Sequence, residues 1–281
     1  MIPKITVHCI VKNEEKWIWY AIESIRNIAQ EILIYDTGST DKTVEIIKTF
    51  RDKKIKFEEK GSVDSKGLVS LRRQQLKRTK TEWFLILDGD EIWSESAKKE
   101  LVQKLKTANS EDWGVVIRAW NFIGDVYHLH PESALYHWPY APKDYIGWAN
   151  LRIIKTSTPG LNITGNYPLE AYCDSEFTPI QNYGLKHLIF LNNRYYHTTY
   201  LVRSTNRKAD KTVLNRLYKN KQELGTSVGK NFIYPQAFFK KAPSIVDNPW
   251  RKRSALELAA SIVQTPIKET RRRIFNLYNP R

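Results

Sequence analysis

Asp88-Gly89-Asp90-Glu91 closes the apolar run Leu85-Ile86-Leu87 and offers two carboxylates at positions i and i+2. In extended backbone such residues point the same way. Hard oxygen donors so arranged suit Mg2+ or Mn2+, which can bridge to a diphosphate, and Gly89 leaves room for close approach. The alternative is a solvated Asp-Gly turn. A second acidic segment, Asp36-Thr37-Gly38-Ser39-Thr40-Asp41, falls where a strand pattern gives way to a helix pattern. Thr40 or Asp41 can cap that helix, whose first amides are free donors. Capping leaves Asp36 unexplained, and as an acceptor at a strand end it could read a base or a ribose hydroxyl. A third segment, Val11-Lys12-Asn13-Glu14-Glu15, is either a capped helix start or a ligand contact.

The surrounding patterns place these segments on one edge of a sheet. Ile5 to Val11, Glu31 to Asp36, Ile55 to Phe57 and Trp83 to Leu87 read as strands, rich in β-branched or aromatic residues. Between them, Trp17 to Ile25, Val44 to Phe50 and Leu68 to Leu76 carry apolar residues at helical spacing, and Ser94 can cap a further helix to about Leu105. Such alternation predicts parallel βαβ units, whose ligands bind beyond the carboxyl ends of the strands. From Trp113 to Trp148 the chain is dense in aromatics and histidines, read as loops and antiparallel additions. Strands are expected again at 150–155 and 194–199. Beyond residue 204, helices are expected at 209–223 and, after a Pro-containing linker around Pro235 to Pro249, at 251–264, with Pro266 interrupting the last two helices.

With 41% apolar residues among 281, the chain can bury a substantial core. No run approaches the roughly 18 apolar residues of a spanning helix. Its start resembles a strand rather than a signal peptide, so a cytoplasmic location is the expectation. Cys9 and Cys173 are too few for a disulfide framework or a cysteine metal site. A formal charge of +15 favours anionic partners without choosing among nucleotide phosphates, anionic lipid and nucleic acid.

Three acidic segments at three strand ends, in this order and spacing, resemble the family 2 glycosyltransferases of the GT-A fold, in particular the bacterial branch with lipopolysaccharide-core glucosyltransferases. The residues that carry the resemblance are Ile10 to Glu15, Asp36 to Val44 and Trp83 to Glu91. It implies an α/β architecture: a Rossmann-like, mostly parallel central sheet flanked by helices. Residues 1–200 would form the GT-A domain, with 1–112 binding nucleotide and 113–200 on the acceptor side; the resemblance does not reach 201–281, which the helical patterns there make a helical C-terminal extension. It further implies a nucleotide-sugar donor, UDP-sugar foremost, and Mn2+ or Mg2+. Transfer to a hydroxyl of a glycan or lipid-linked acceptor would invert C1 by direct displacement.

By the same resemblance Val11, Asn13, Glu14, Asp36, Arg72, Asp88 and Gly89 would hold the donor, with Arg73 as an alternative to Arg72. Asp90 would be the main metal ligand, helped by Asp88 and His197. Glu170 is the candidate general base, although Leu169 stands where the family has histidine, and Asp174 and Glu176 are rivals. His197 is otherwise a structural hydrogen-bonder. His128, His130 and His137 lack a clear ligand geometry and are assigned to loop or acceptor-side positions. Trp138 or Tyr140 could form an acceptor wall, whereas most of the aromatics between 113 and 148 are expected to fill core.

The tail from Lys268 to Tyr278 alternates basic and apolar residues and could lie on an anionic membrane. Its narrow apolar stripe favours an ordinary docked helix. Two other classes stay open. A nucleotidyltransferase could use Asp-x-Asp and a metal, but the glycine-rich phosphate loop such enzymes need is missing. A non-enzymatic binder of nucleic acid or anionic membrane would account for the charge, yet no RNA-binding aromatic motif or zinc-finger spacing supports it, and no nucleic-acid partner is expected.

Overall fold

The structure is a computed structural model that describes residues 3–131, 140–206 and 222–278, together with 208, 211, 213, 214 and 216. Its first half alternates strand and helix: β1 (Ile5–Val11), α1 (Ile18–Ile25), β2 (Glu31–Asp36), α2 (Thr43–Lys48), β3 (Ile55–Glu59), α3 (Ser65–Arg78) and β4 (Trp83–Leu87). These strands run parallel in the order β3-β2-β1-β4. Every residue of β4 is buried, as expected for a strand covered on both faces. On one face Val7, Cys9, Leu85 and Leu87 join Ile18, Ile22 and Ile25 of α1 in the larger core. On the other, Phe84 and Ile86 pack with Val69 of α3 in a second cluster. His8 is sealed between strand and helix, stacked on Phe84 at 4.5 Å, and burial depresses its imidazole to about 3.

After the short β5 (Glu91–Ile92), α4 (Glu95–Thr107) starts at Ser94, whose hydroxyl accepts the amide of Ala97 at 3.1 Å. The sheet then widens with β6 (Gly114–Ile123), β7 (Asp125–Leu129), β8 (Ala149–Lys155) and β11 (Leu188–Tyr200). β8 is antiparallel to β4 and β6, whereas β11 is parallel to β6. A separate small hairpin pairs β9 (Asn162–Thr164) with β10 (Ala171–Cys173). The parallel half therefore carries the βα units, and the half beyond β4 is built mainly from antiparallel pairs.

Two C-terminal expectations need correcting, and a third, the helix at 209–223, lies mostly outside the described residues. Between 222 and 254 the chain forms no α-helix: a single 3-10 turn spans Gln236–Phe239, β12 (Thr226–Ser227) pairs with β7, and Phe238 and Val246 enter the larger core. These aromatic and apolar side chains gain more from that core than a surface helix would return. Pro266 does not end a helix either, because α5 (Ala255–Tyr278) runs through it. Pro266 stands on the exposed side, where water can solvate the carbonyl that its missing N–H leaves unbonded.

Candidate active site

The register of the parallel strands sets Val11 beside Asp36 and Cys9 beside Leu87, so the ends of β1, β2 and β4 share one edge. A cavity of about 490 Å3 opens there. Val11, Glu14, Arg72, Asp88, Gly89, Asp90, Glu170 and His197 all line it, contributed by five separate stretches of chain. Asn13 and Asp36 do not. The Asp36 carboxylate accepts the amides of Gly38 and Ser39, both at 2.9 Å, and the Ser39 hydroxyl. Asn13, at φ 55°, donates its amide to Ser39 Oγ at 2.8 Å and accepts Thr40 N–H at 2.8 Å. These two residues lock the loops after β1 and β2 together. Thr37, next in sequence to Asp36, is the member of that turn that reaches the cavity.

The acidic segment after β4 is a turn, with Glu91 N–H donating to the Asp88 carbonyl at 3.1 Å. The extended-strand argument for parallel carboxylates therefore fails, and the two acids face different partners. Asp88 pairs with Arg152 of β8 at 2.9 Å. Asp90 is buried, with Arg203 at 2.6 Å and His197 Nε2 at 3.3 Å from its Oδ2. Gly89 packs on Glu14, whose Cγ would lie 2.8 Å from an added Cβ, so its missing side chain accommodates the protein's own carboxylate. Glu14 is clamped by Arg203 at 3.0 Å and by Arg216. Burial nonetheless raises its carboxyl to about 7, against the pull of both arginines. Glu91, buried beneath the turn against Arg152, is likewise raised to about 7 by burial.

Across the cavity Glu170 Oε1 accepts from Arg72 Nε at 3.1 Å, while its buried Oε2 has no hydrogen-bond partner among the described residues. The rival carboxylates are placed elsewhere: Asp174 accepts the amides of Glu176 and Thr178, both at 2.9 Å, and the Tyr183 hydroxyl, and neither Asp174 nor Glu176 lines the cavity. Arg73 is exposed and bonds the Ile163 carbonyl. His128 pairs with Asp125 at 2.6 Å and His130 with Glu223 at 3.4 Å, so both are structural. His137 and Trp138 lie outside the described residues. Tyr140 is exposed and away from the cavity, and Trp148 lines it instead.

The chain that builds this cavity matches a known family in sequence. Residues 6–163, more than half of the chain, fit the model of glycosyl transferase family 2. The chain belongs to this family. An uncharacterized glycosyltransferase of Rickettsia typhi, RT0209, is 36% identical over 100 residues, which are 36% of this chain and 32% of that protein. The lipopolysaccharide core biosynthesis glycosyltransferase LpsC of Rhizobium meliloti is 27% identical over 190 residues, 66% of this chain and 61% of LpsC. The chain thus spans less than two thirds of either relative. Among solved structures, S. aureus TarS 1–349 in complex with UDP-GlcNAc superposes with a TM-score of 0.48 at 18% identity, over 69% of this chain and 58% of TarS.

Whether this family 2 site can hold a divalent cation turns on its donor set. Two cis ligands of an octahedral ion, each about 2.1 Å away, lie about 3 Å apart. Asp90 Oδ2 and His197 Nε2, at 3.3 Å, meet that condition, and carboxylate oxygen with neutral imidazole suits Mn2+. An ion there would take the place of Arg203 on Oδ2. Among the described residues no three acidic, histidine or cysteine side chains already converge as a cage. Asp88 would have to leave Arg152 to complete one.

Arg152, Arg203 and Arg216 all line the cavity, and none was singled out from the sequence. Arg152 had a signal: it is a charge inside the otherwise apolar strand Leu151 to Ile154. Arg203 and Arg216 had none, because their carboxylate partners lie 113 and 202 residues away in sequence.

Proposed function

We propose that the chain transfers a sugar from a nucleotide-sugar donor, a UDP-sugar by family resemblance, to a hydroxyl of a glycan or lipid-linked acceptor. The observation that carries this is one cavity joining the Asp88–Asp90 turn, four arginines and the half-paired Glu170 at the edge of a parallel sheet. Arg72, Arg152, Arg203 and Arg216 line the cavity as donors for a diphosphate, each held in place by an acidic partner until donor and ion enter. Asp90 and His197, with Asp88, would hold Mn2+ or Mg2+, and such an ion neutralises charge developing on the leaving diphosphate.

In the step itself the acceptor oxygen bonds to C1 as the bond from C1 to the phosphate oxygen breaks, and the electron pair departs with the nucleoside diphosphate. The acceptor proton passes to Glu170 Oε2, the carboxylate oxygen that Arg72 leaves unpartnered. Direct displacement inverts C1. LpsC, named for lipopolysaccharide core biosynthesis, supports a surface glycan as acceptor.

The test is a thermal-shift screen of UDP-, GDP- and dTDP-sugars with and without Mn2+, followed by assay of nucleoside diphosphate release. A Mn2+-dependent rise in Tm with one nucleotide sugar, and release of its diphosphate, is the expected result. Pyrophosphate release would favour nucleotidyl transfer, and no shift with any donor overturns the reading.

A further inference from the structure

The helix α5 is mounted inside out. On a helix docked to a protein the apolar stripe normally faces the core. Here Ser261 is buried and Gln264, Thr265, Lys268 and Arg272 are half-buried, whereas Leu256, Val263 and Ile267 are 84%, 65% and 66% exposed. At 100° per residue these three apolar positions fall within about 40° of one another, on the side of the helix away from Ser261, Lys268 and Arg272.

The inward face is held by polar bonds. Glu223 receives Arg272 at 2.7 Å and Lys268 at 3.6 Å, and Thr265 Oγ1 accepts the amide of Leu224 at 2.9 Å. The apolar side is therefore turned outward by specific contacts rather than left over from a failed burial.

We propose that this outward face of α5 docks on an anionic lipid surface, with the helix lying in the plane of the interface. An interfacial helix sinks its apolar side to the boundary between headgroups and acyl chains, and lysines and arginines beside it attract anionic lipid. Exposed Arg251 and Lys252 precede α5 and exposed Arg271 lies near its end, so both flanks carry positive charge. Charge chooses the occupant: two copies of this chain, each at +15, would meet with like sign, whereas an anionic bilayer is complementary. The proposal goes beyond sugar transfer and stands without it.

The test is co-sedimentation of the full chain with phosphatidylcholine vesicles and with mixed phosphatidylcholine–phosphatidylglycerol vesicles, alongside sedimentation velocity for oligomeric state. The mixed vesicles should retain the wild type. Val263→Asp with Ile267→Asp, both at exposed positions, should lower partitioning at least about tenfold while Tm is unchanged. Raised salt should weaken binding, and phosphatidylcholine alone should bind poorly. Absence of binding to the mixed vesicles overturns the proposal, as does binding that the double substitution leaves intact. A dimer that the same substitutions dissociate, without vesicle binding, assigns the face to a second copy instead.

Discussion

Arg203 and Asp90 form a buried pair at 2.6 Å, and the same guanidinium nitrogen also reaches Glu14 at 3.0 Å. One arginine thus fastens the loop after β1 to the turn after β4, the two walls between which the donor would lie. Both carboxylates are desolvated, and the shared guanidinium offsets part of the cost of charging them.

Removing that cation should be costly. Arg203→Ala takes the shared guanidinium from buried Asp90 and leaves Glu14 to Arg216, and losing one partner of a buried ion pair costs about 3–5 kcal/mol. Urea unfolding should show a lower midpoint with an unchanged m value; a midpoint like that of the wild type would mean the pair is solvated.

Asp90→Asn keeps the shape and removes the charge, leaving Arg203 on Glu14. The expected result is a fall in turnover of about a hundredfold or more, as for the loss of one preorganised electrostatic contact, and a retained near-ultraviolet dichroism spectrum. Mn2+-dependent nucleotide binding should fall in parallel. Unchanged turnover and binding would remove Asp90 from the chemistry.

Glu170→Gln tests the proposed base against its rivals. Loss of a general base costs roughly 10^2 to 10^4 in rate, so kcat should drop while donor affinity holds. Asp174→Asn should instead weaken the turn closed by Glu176, Thr178 and Tyr183 and lower Tm with little effect on kcat. The opposite pattern would pass the role to Asp174.

Acid should release α5. Burial alone would raise the carboxyl of Glu223, but hydrogen bonds from His130 and Arg272 hold it at about 2, below its ordinary value of 4.5. A carboxylate depressed in the folded state contributes stability above its unfolded pKa and loses it as pH falls through the folded one. The window is about pH 4.5 down to 2, and the contribution at stake is about 3 kcal/mol. Hydrogen exchange of 255–272 should accelerate across that window, and Glu223→Gln should flatten the dependence.

Much of this was written locally. Apolar runs at 31–36 and 83–87 are strands because both faces are covered, and the helical stripe at 18–25 marks the side that meets them. Ser94 announces its helix by its own hydroxyl. The acidic turns at strand ends were visible for the same reason: side chains within a few residues of a strand terminus share its edge whatever the rest of the chain does.

Side-chain destinations were decided by the tertiary structure. Asp36 sits at the expected strand end, yet its carboxylate is spent on Gly38 and Ser39, a choice set by a turn geometry that residue type does not reveal. Arg152, Arg203 and Arg216 reach the cavity from distant stretches of chain, and the energy that places them comes from carboxylates they meet only after folding. In α5 the periodicity declares two faces but not which one turns inward. Glu223 settles that, because its ion pairs with Lys268 and Arg272 form only when the polar side docks.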